Sequence, residues 1–364
     1  MDNLYNKYAH LLTNYCLEVQ KGDKVLLKST YLAEPLLIEL LKEITKAGGH
    51  PVLDIEIQKY ESSLLLNAEK HQLDWVNPAT KYWNENFECF LYIRAPFEQK
   101  DTTPVEPSKR QAVKEAHKEI HKTYMARTGN RSMRRSLCQF PTAASAKEAG
   151  MTVEEYEKFV FDACNLFDEN PLATWQNFGK NQQKTVDYLN SKSKIRYIGS
   201  NIDITFSVKD RLWINSDGKT NMPSGEIYTA PVDDSMNGWV LFTLPSVYMG
   251  ERVENVRLEI KDGYIESWSA TMGKEFLDKI FEIPGARRFG EAAIGTNYKI
   301  QRATNNILFD EKIGGTIHLA IGDAYKQCGG INESSIHWDM ITDMTDGKIY
   351  ADDELCYKNG KFIV

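Results

Sequence analysis

The stretch "KVLLKSTYLAEPLLIELLKEITKAGGHPVLDIEI" (24–57) decides the fold of the first half of the chain. It opens with a short strand-like run, "KVLLK" (24–28), and continues with a helical segment, "AEPLLIELLKEITKA" (33–47). A second strand-like run, "PVLDIEI" (51–57), follows directly. A strand, a helix and a strand in this order form a βαβ unit, whose crossover is right-handed and whose two strands are parallel. We therefore predict a largely parallel sheet.

Strand and helix signals keep alternating beyond this unit. Further strands are predicted at 89–95 and 136–140, and further helices at 107–125, around 152–168 and at 172–191. Gly48-Gly49 follow a helix rather than a strand, so we expect them to cap that helix and not to form a phosphate cradle. The sequence also has no GxGxxG motif and no Walker-type lysine loop. The α/β half is therefore predicted to be a scaffold or a lid without a cofactor of its own.

The pattern changes after "SKSKIRYIGS" (191–200). Apolar and polar residues then alternate in several runs, and hairpin signals appear at Asp262-Gly263 and Asn359-Gly360. The alternating runs are "IDITFSV" (202–208), "WVLFTL" (239–244) and "VRLEI" (256–260). We predict an α/β N-terminal domain with a largely parallel sheet at residues 1–192, followed by a β-rich (α+β) C-terminal domain at residues 193–364.

Composition narrows the class of protein. The 364 residues carry a formal net charge of −7, which argues against a nucleic-acid partner whose phosphates must be neutralised. No signal peptide is evident at the N-terminus, and no apolar run is long enough to cross a bilayer. The six cysteines are scattered without a CxxC pair, so we expect reduced thiols rather than zinc ligands. A cytoplasmic protein with neither a nucleic-acid nor a membrane partner is predicted.

Candidate metal ligands are concentrated in the second half, which holds only two histidines, His318 and His337. Candidate acids accompany them: Glu226 in "NMPSGEIYTAP" (221–231), Glu291 in "RRFGEAAIG" (287–295), and Asp339 in "SSIHWDMI" (334–341). Two imidazoles and three carboxylates can bind one or two divalent metal ions. Metal ions in an open site polarise a carbonyl and generate hydroxide at neutral pH.

Each of these residues also has a structural explanation. Glu226 follows a Pro-Ser-Gly turn and could cap nearby backbone, and His318 sits in a strand-like stretch that could bury a satisfied histidine. Glu291 precedes an apolar run, where a carboxylate is out of place unless it is paired. His337 and Asp339 are two residues apart, so their side chains point the same way on an extended chain. Side chains in this arrangement could bind a metal ion or could form only a hydrogen-bonded pair. Spacing alone leaves both interpretations open.

The amino-acid sequences of four segments, and their order along the chain, resemble those of one peptidase family. "NMPSGEIYTAP", "RRFGEAAIG", "LFDEKIGGTIHLAIGDAY" (308–325) and "SSIHWDMI" are similar, in that order, to the metal-binding segments of the thermophilic-type metallo-aminopeptidases, which include aminopeptidases T and S. "VQKGDKVLLKS" (19–29) resembles the family's opening strand, and "FPTAASAKEAGMTVEEYEKFV" (140–160) resembles its segment between the two halves. The resemblance covers nearly the whole chain. Lys312 stands where the family pattern leads us to expect asparagine, and the stretch between His318 and His337 is shorter than usual.

The resemblance implies a metal-dependent aminopeptidase that releases N-terminal residues from peptides with a free N-terminus. It implies that two divalent ions (Zn, Co or Mn) are held by five residues: Glu226, Glu291, His318, His337 and Asp339. Glu291 is the predicted proton relay beside the attacking water, and Tyr325 is placed at the active site, where it could stabilise the oxyanion. Trp338 is expected to point away and pack. A homodimer is also implied.

Two other interpretations remain at this stage. Another two-metal hydrolase, such as a phosphoesterase, would use similar ligands, although such sites are usually richer in Asp and His, and no basic phosphate clamp is apparent. A non-catalytic binding protein of the same fold would have lost the metals, and the presence of all five candidate ligands argues against that.

Overall fold

The computed structural model describes residues 2–98, 101 and 103–364, and the chain forms two compact units. The first unit comprises the described residues up to Thr174 together with Gly218–Pro223. The second comprises Trp175–Asp217 and Ser224–Val364. None of the helices among the described residues is long and apolar enough to cross a bilayer.

The first unit is built on a five-stranded parallel sheet with the strand order β2-β1-β3-β4-β8. Its strands, numbered along the whole chain, are β1 (Lys24–Thr30), β2 (His50–Glu56), β3 (Cys89–Arg94), β4 (Arg134–Gln139) and β8 (Asn221–Met222). In the centre of the sheet, Val25 of β1 pairs with Pro51 on one side and Cys89 on the other. The predicted parallel sheet is confirmed.

Helices connect these strands, as the βαβ pattern requires. They are α1 (Asp2–Leu11), α2 (Glu34–Lys46), α3 (Tyr60–Asn67), α4 (Lys70–Leu73), α5 (Pro78–Asn86), α6 (Pro107–Ala116), α7 (Lys118–Gly129), α8 (Ala143–Glu148) and α9 (Val153–Ala163), with a π-helical turn at Leu12–Cys16 and a 3-10 turn at Tyr31–Ala33. Gly48 caps α2 as predicted, because its positive φ of 84° lets its N–H donate to the carbonyl of Thr45.

Two details of the first unit differ from the predictions. The single helix predicted at 107–125 is two helices, α6 and α7, because the backbone of His117 (φ −88°, ψ 2°) leaves the helical region between them. The short helices α3, α4 and α5 between β2 and β3 were not predicted, since each is too short to show a clear apolar period.

The second unit is rich in antiparallel strands. They are β5 (Lys194–Gly199), β6 (Ile202–Ser207), β7 (Ile214–Ser216), β9 (Glu226–Thr229), β10 (Asn237–Phe242), β11 (Ser246–Tyr248), β12 (Glu251–Val253), β13 (Val256–Lys261), β14 (Tyr264–Ser269), β15 (Phe289–Gly295), β16 (Thr316–Gly322), β17 (His337–Asp343), β18 (Lys348–Ala351), β19 (Glu354–Lys358) and β20 (Lys361–Phe362). Its helices are most of α10 (Pro171–Asn190), α11 (Lys274–Ile280) and α12 (Ile307–Asp310), with a 3-10 turn at Lys326–Cys328.

These strands form two larger sheets and one small hairpin. The eight-stranded sheet has the order β14-β13-β10-β6-β5-β18-β19-β20, and the five-stranded sheet has the order β17-β16-β15-β9-β7. The strands β11 and β12 pair with each other. Both predicted hairpin turns are present, since Lys261 pairs with Tyr264 across Asp262-Gly263 and Lys358 pairs with Lys361 across Asn359-Gly360. The predicted β-rich second half is confirmed.

The two larger sheets share one apolar core. Residues of the eight-stranded sheet such as Ile204 and Leu258 belong to the same buried cluster as Ile294 and Leu319 of the five-stranded sheet. Trp338 also packs in this cluster, as expected, and its ring stacks on that of Tyr248 at 5.1 Å. One face of the five-stranded sheet is therefore committed to packing.

The two compact units divide inside α10, between Thr174 and Trp175. The later turns of this helix belong to the second unit because Val186 and Leu189 are buried in its core. The domain boundary predicted at residues 192/193 falls after the helix and stays a proposal. Limited proteolysis that separates the chain after residue 192, rather than near residue 174, would support it.

Candidate active site

The five predicted metal ligands share one face of the five-stranded sheet. Residues that pair directly across antiparallel strands point to the same face, as do residues two apart on one strand. Ala320 pairs with Glu291 on one side and with Asp339 on the other, so these three side chains share a face. His318 and His337 share this face because they lie two residues from Ala320 and Asp339 on their own strands. Glu226 lies there too, because it pairs with Gly295, which is on the same face of its strand as Glu291. This face is opposite the one that packs in the core.

A β-bulge at Gly290 puts Glu291 on this face. Phe289 pairs with Ile321, and the register then shifts so that Glu291 pairs with Ala320. In an unbroken strand Glu291 would share the face of Phe289, which is the core face. Gly290 fits the bulge because a Cβ atom there would lie 2.1 Å from the carbonyl oxygen of Asp323. The bulge is therefore what exposes the Glu291 carboxylate to the other ligands.

Small residues lie across the sheet from the predicted ligands and leave room for the ligand side chains to approach one another. Each predicted ligand has a glycine or alanine directly across the sheet: Ala293 opposite His318, Gly295 opposite Glu226, Ala320 opposite both Glu291 and Asp339, and Gly322 opposite His337. Without larger side chains between them, the imidazoles and carboxylates approach one another directly.

Glu291 lies between the two imidazoles. Its Oε1 is 3.5 Å from Nε2 of His318, and its Oε2 is 3.1 Å from Nε2 of His337. Two groups of possible ligand atoms result: Glu291, His337 and Asp339 form one, and Glu226, Glu311 and His318 form the other. Because its two oxygens face the two groups, Glu291 could offer one oxygen to each group of possible ligand atoms.

The ring of His337 is oriented by the backbone. Its Nδ1 lies 2.7 Å from the carbonyl oxygen of Asp323, which can only accept a hydrogen bond, so Nδ1 carries a proton. The other nitrogen, Nε2, then faces Glu291 and also lies 3.6 Å from Oδ1 of Asp339. Such a carbonyl contact fixes the tautomer and orientation of a metal-binding histidine.

Two further residues, Glu311 and Lys312, complete the cluster. Neither was predicted as part of the site, although both stand in the "LFDEK" segment. The Lys312 side chain is fully buried; its Nζ is bonded to Oε1 of Glu311 and lies 3.9 Å from Oε1 of Glu226. An acid placed seven residues before His318, just after the short helix α12, was the signal that could have identified Glu311.

Burial and the charges of neighbouring groups shift the pKa values of the cluster in opposite directions. Burial disfavours charge on His318, but the neighbouring carboxylates, Glu291 first and then Asp339 and Glu226, together outweigh burial and raise the imidazole pKa to about 9. Burial likewise opposes charge on His337, and Asp339 and Glu291 together raise its pKa to about 11. Burial raises the pKa of Glu311 to about 8, against the opposing charge of Lys312. A cation bound here would compete with these protons for the same ligand atoms.

The pKa values of the other groups in the cluster also depend on burial and on the charges beside them. Burial raises the pKa of Glu226. Burial also disfavours a charged Asp339, but His337, with smaller contributions from His318 and Lys312, outweighs burial and lowers the pKa of that carboxyl. The carboxylates of Glu226 and Glu311 hold the pKa of Lys312 above its usual range although burial opposes this. The site therefore gathers four carboxyl groups and two imidazoles around a buried ammonium.

The donor set fits divalent metal ions. Four carboxylates and two imidazoles converge, which is a mixed nitrogen and oxygen set suited to zinc, cobalt or manganese. Within the described residues, Nδ1 of His318 and Oδ1 of Asp339 are buried without a hydrogen-bond partner. A buried polar atom without a partner is costly, and coordination would satisfy Asp339.

Tyr325, the other predicted active-site residue, lies beside this cluster. Its ring centroid is 4.8 Å from that of His337 and 5.5 Å from that of Tyr228. The side chain remains 40% exposed. Burial and the negative charge of Glu291 raise the phenol pKa well above its usual value, so the group keeps its proton and can donate it in a hydrogen bond.

A pocket of about 160 Å³ opens next to two of the predicted ligands, His337 and Asp339. It lies along β17, which is an edge strand of the five-stranded sheet, and the hairpin strand β11 forms another wall. Apolar side chains contribute much of its lining, among them Val247, Tyr248 and Ile307. A small apolar group held here would be adjacent to the cluster.

A buried set of imidazoles and carboxylates on one sheet face, next to an open pocket, defines a metal-dependent enzyme. The comparison with known families is specific: the chain belongs to the thermophilic metalloprotease family M29, whose model matches residues 1–362. The resemblance stated from the sequence is confirmed.

Sequence similarity to two known aminopeptidases extends over nearly the whole chain. Aminopeptidase AmpS of Bacillus subtilis (strain 168) is 27% identical over 405 aligned positions, which cover 98% of each chain. Aminopeptidase 2 of Geobacillus stearothermophilus is 25% identical and covers 94% of this chain and 92% of its own.

Solved structures show the same fold. Wild-type AmpT from Thermus thermophilus superimposes with a TM-score of 0.81 at 22% identity, covering 100% of this chain and 99% of its own. This likeness confirms the predicted combination of an α/β half with a β-rich half.

Proposed function

We propose that this protein is an aminopeptidase that releases N-terminal residues from peptides with two divalent metal ions, Zn, Co or Mn. Its family supports peptide hydrolysis with metal, and the names of its relatives support release from the N-terminus. The observation that carries the two-ion proposal is the position of Glu291, whose two oxygens face two separate groups of possible ligands. The proposed ligands are the predicted five, Glu226, Glu291, His318, His337 and Asp339, together with Glu311, which shares a group of possible ligand atoms with Glu226 and His318.

The residues of the chain have separate roles in this proposal. Bound divalent ions would polarise the scissile carbonyl and activate water at neutral pH. Glu291 accepts a proton from the attacking water and delivers it to the departing amine nitrogen, as general base and then general acid. Tyr325 keeps its proton and donates a hydrogen bond to the oxyanion that forms on the carbonyl oxygen.

The substrate is proposed to be a peptide with a free α-amine. Four carboxyl groups converge in the cluster, and a carboxylate oxygen left free by the metal ions would accept a charge-assisted hydrogen bond from a terminal ammonium, which an uncharged amide cannot donate. The pocket beside His337 and Asp339 is proposed to hold the side chain of the N-terminal residue, and its apolar lining favours an apolar one.

The two other interpretations find less support. A phosphoesterase would be favoured by a basic clamp for the phosphate in addition to the metal ions, whereas the ammonium of Lys312, which lies at this cluster, is fully buried and already bound to Glu311. A binding protein without metal would not need the five ligands on one sheet face with small residues between them.

The decisive experiment measures metal content and hydrolysis together. Purified protein should contain divalent metal and should hydrolyse leucine p-nitroanilide but not p-nitrophenyl phosphate. Chelation should abolish activity, and Zn, Co or Mn should restore it. N-acetylleucine p-nitroanilide should not be cleaved, because it lacks the ammonium. Full activity in verified metal-free protein, or equal cleavage of the acetylated substrate, would contradict the proposal.

A cytoplasmic location and a homodimer complete the proposal. All six cysteine side chains are buried, which suits reduced thiols in the cytoplasm. The homodimer rests on the family resemblance. Light scattering on the purified chain tests it, and a monomer at micromolar concentration would contradict it.

A further inference from the structure

A lysine side chain lies inside the candidate metal site. Lys312 is fully buried, and its ammonium is bound to Glu311 and lies 3.9 Å from Oε1 of Glu226. Both carboxylates belong to the same group of possible ligands, which His318 completes. The ammonium therefore contacts the oxygens that would hold a metal ion in that group.

Among the described residues, no lysine or arginine forms an ion pair with the second group. Glu291, His337 and Asp339 contact one another and His318, and the ion pairs of this group involve only imidazoles as cations. Metal ions bind deprotonated ligands, so the relevant state has neutral imidazoles and ionised carboxylates, and in it the formal charge of this group is −2, from Glu291 and Asp339. In the same state the first group has −2 from Glu226 and Glu311 and +1 from Lys312, which leaves −1.

An ammonium and a divalent ion compete for the same carboxylates. Both are cations that need the lone pairs of Glu226 and Glu311, and a positive charge a few ångströms away repels an incoming ion in a poorly solvated site. The Lys312 side chain is enclosed, so it moves aside only if its ammonium finds another buried partner or reaches water. The competition between the ammonium and a metal ion therefore depends on a single side chain, that of Lys312.

We infer that the two groups bind metal unequally: Glu291, His337 and Asp339 bind the first ion tightly, and Lys312 weakens binding of the second ion to Glu226, Glu311 and His318. This inference rests on the proposed function for the existence of the metal site and adds the order of its loading. Under limiting metal, the protein carries one ion, and Lys312 supplies positive charge at the other position.

Cobalt titration of the chelator-treated full chain tests the inference without relying on activity. Visible absorption and calorimetry should resolve two binding events, the second weaker by a factor of about ten or more. Lys312→Met removes the charge and keeps a similar volume, so the gap between the two events should close. Lys312→Arg keeps the charge and should keep the gap.

Ligand variants assign the two events to the two groups. Asp339→Ala should remove the tight event, and His318→Ala should remove the weak one while leaving the tight event in place. These variants and the wild-type titration keep the test decisive if Lys312→Met does not fold. Two ions of equal affinity in the wild type would overturn this inference but not the proposed function. The same holds for folded Lys312→Met if the difference in affinity between its two binding events is unchanged. A chain that binds no cobalt would overturn the proposed function as well.

Discussion

Oε2 of Glu291 lies 3.1 Å from Nε2 of His337, on a sheet face that Glu291 reaches only through the bulge at Gly290. Its other oxygen faces His318 at 3.5 Å. This single carboxylate thus joins the two groups of possible ligands, so its chemistry and its placement can be tested separately.

Replacement of Glu291 by glutamine tests the chemistry. Glu291→Gln keeps the size and one oxygen but cannot carry a proton, so kcat should fall by roughly a hundredfold to ten-thousandfold. KM should change less, because contacts outside the reacting centre survive. Steady-state kinetics with leucine p-nitroanilide provides the measurement. Near-normal kcat in a variant with two bound ions would remove Glu291 from the proton relay.

Removal of single ligands should lower metal content without unfolding the protein. His318→Ala and Asp339→Ala should each lose about one metal equivalent and most activity, as measured by elemental analysis and circular dichroism. His121→Ala is the matched control, since this histidine is exposed on α7 of the first unit. Metal loss in the control variant, with none in His318→Ala, would place the site elsewhere.

Much of the fold could be predicted because the signals are local. The βαβ segment at 24–57 and the two Asx-Gly turns specify their structures through apolar periodicity and backbone preference over a few residues. His337 and Asp339 are likewise two apart on one strand, so their common direction follows from the pleat.

The rest of the site depends on register, which spacing does not reveal. Glu291 would point into the core in a regular strand, and only the shift at Gly290 brings it to Ala320. Glu311 and Lys312 lie outside the strands, and their position next to Glu226 is decided by the fold of the whole second unit. Long-range pairing of this kind leaves no periodic mark in the sequence.

The bulge itself makes a testable prediction. Gly290→Ala would bring a Cβ atom within 2.1 Å of the carbonyl oxygen of Asp323, which also accepts the hydrogen bond from His337. We therefore expect lost metal content, and a thermal midpoint lowered by several degrees, on the scale of a destabilisation of about 1 kcal/mol or more. Gly129→Ala is the control, because nothing lies within 4 Å of an added Cβ there. Unaltered metal binding in Gly290→Ala would show that the bulge is not needed to place Glu291.

Tyr325 offers a way to separate catalysis from metal binding. Tyr325→Phe keeps the ring that lies 4.8 Å from His337 and removes the hydroxyl. If the phenol donates to the oxyanion, kcat should fall on the order of a hundredfold while metal content and KM stay close to wild type. A variant with reduced metal content would instead make the tyrosine oxygen a ligand.

The pocket along β17 should set the preference for the N-terminal residue. Val247 lines this pocket from β11 and is 46% exposed, so Val247→Trp can fill the space without disturbing the core. We expect kcat/KM for leucine p-nitroanilide to fall about tenfold or more relative to the alanine substrate, since the lost burial of several methylene-sized groups is worth that much. Met249→Trp is the matched control: it lies just beyond the same strand, is 79% exposed and does not line the pocket. Equal losses for both substrates in Val247→Trp, or the same shift in Met249→Trp, would mean that the side chain of the N-terminal residue binds elsewhere.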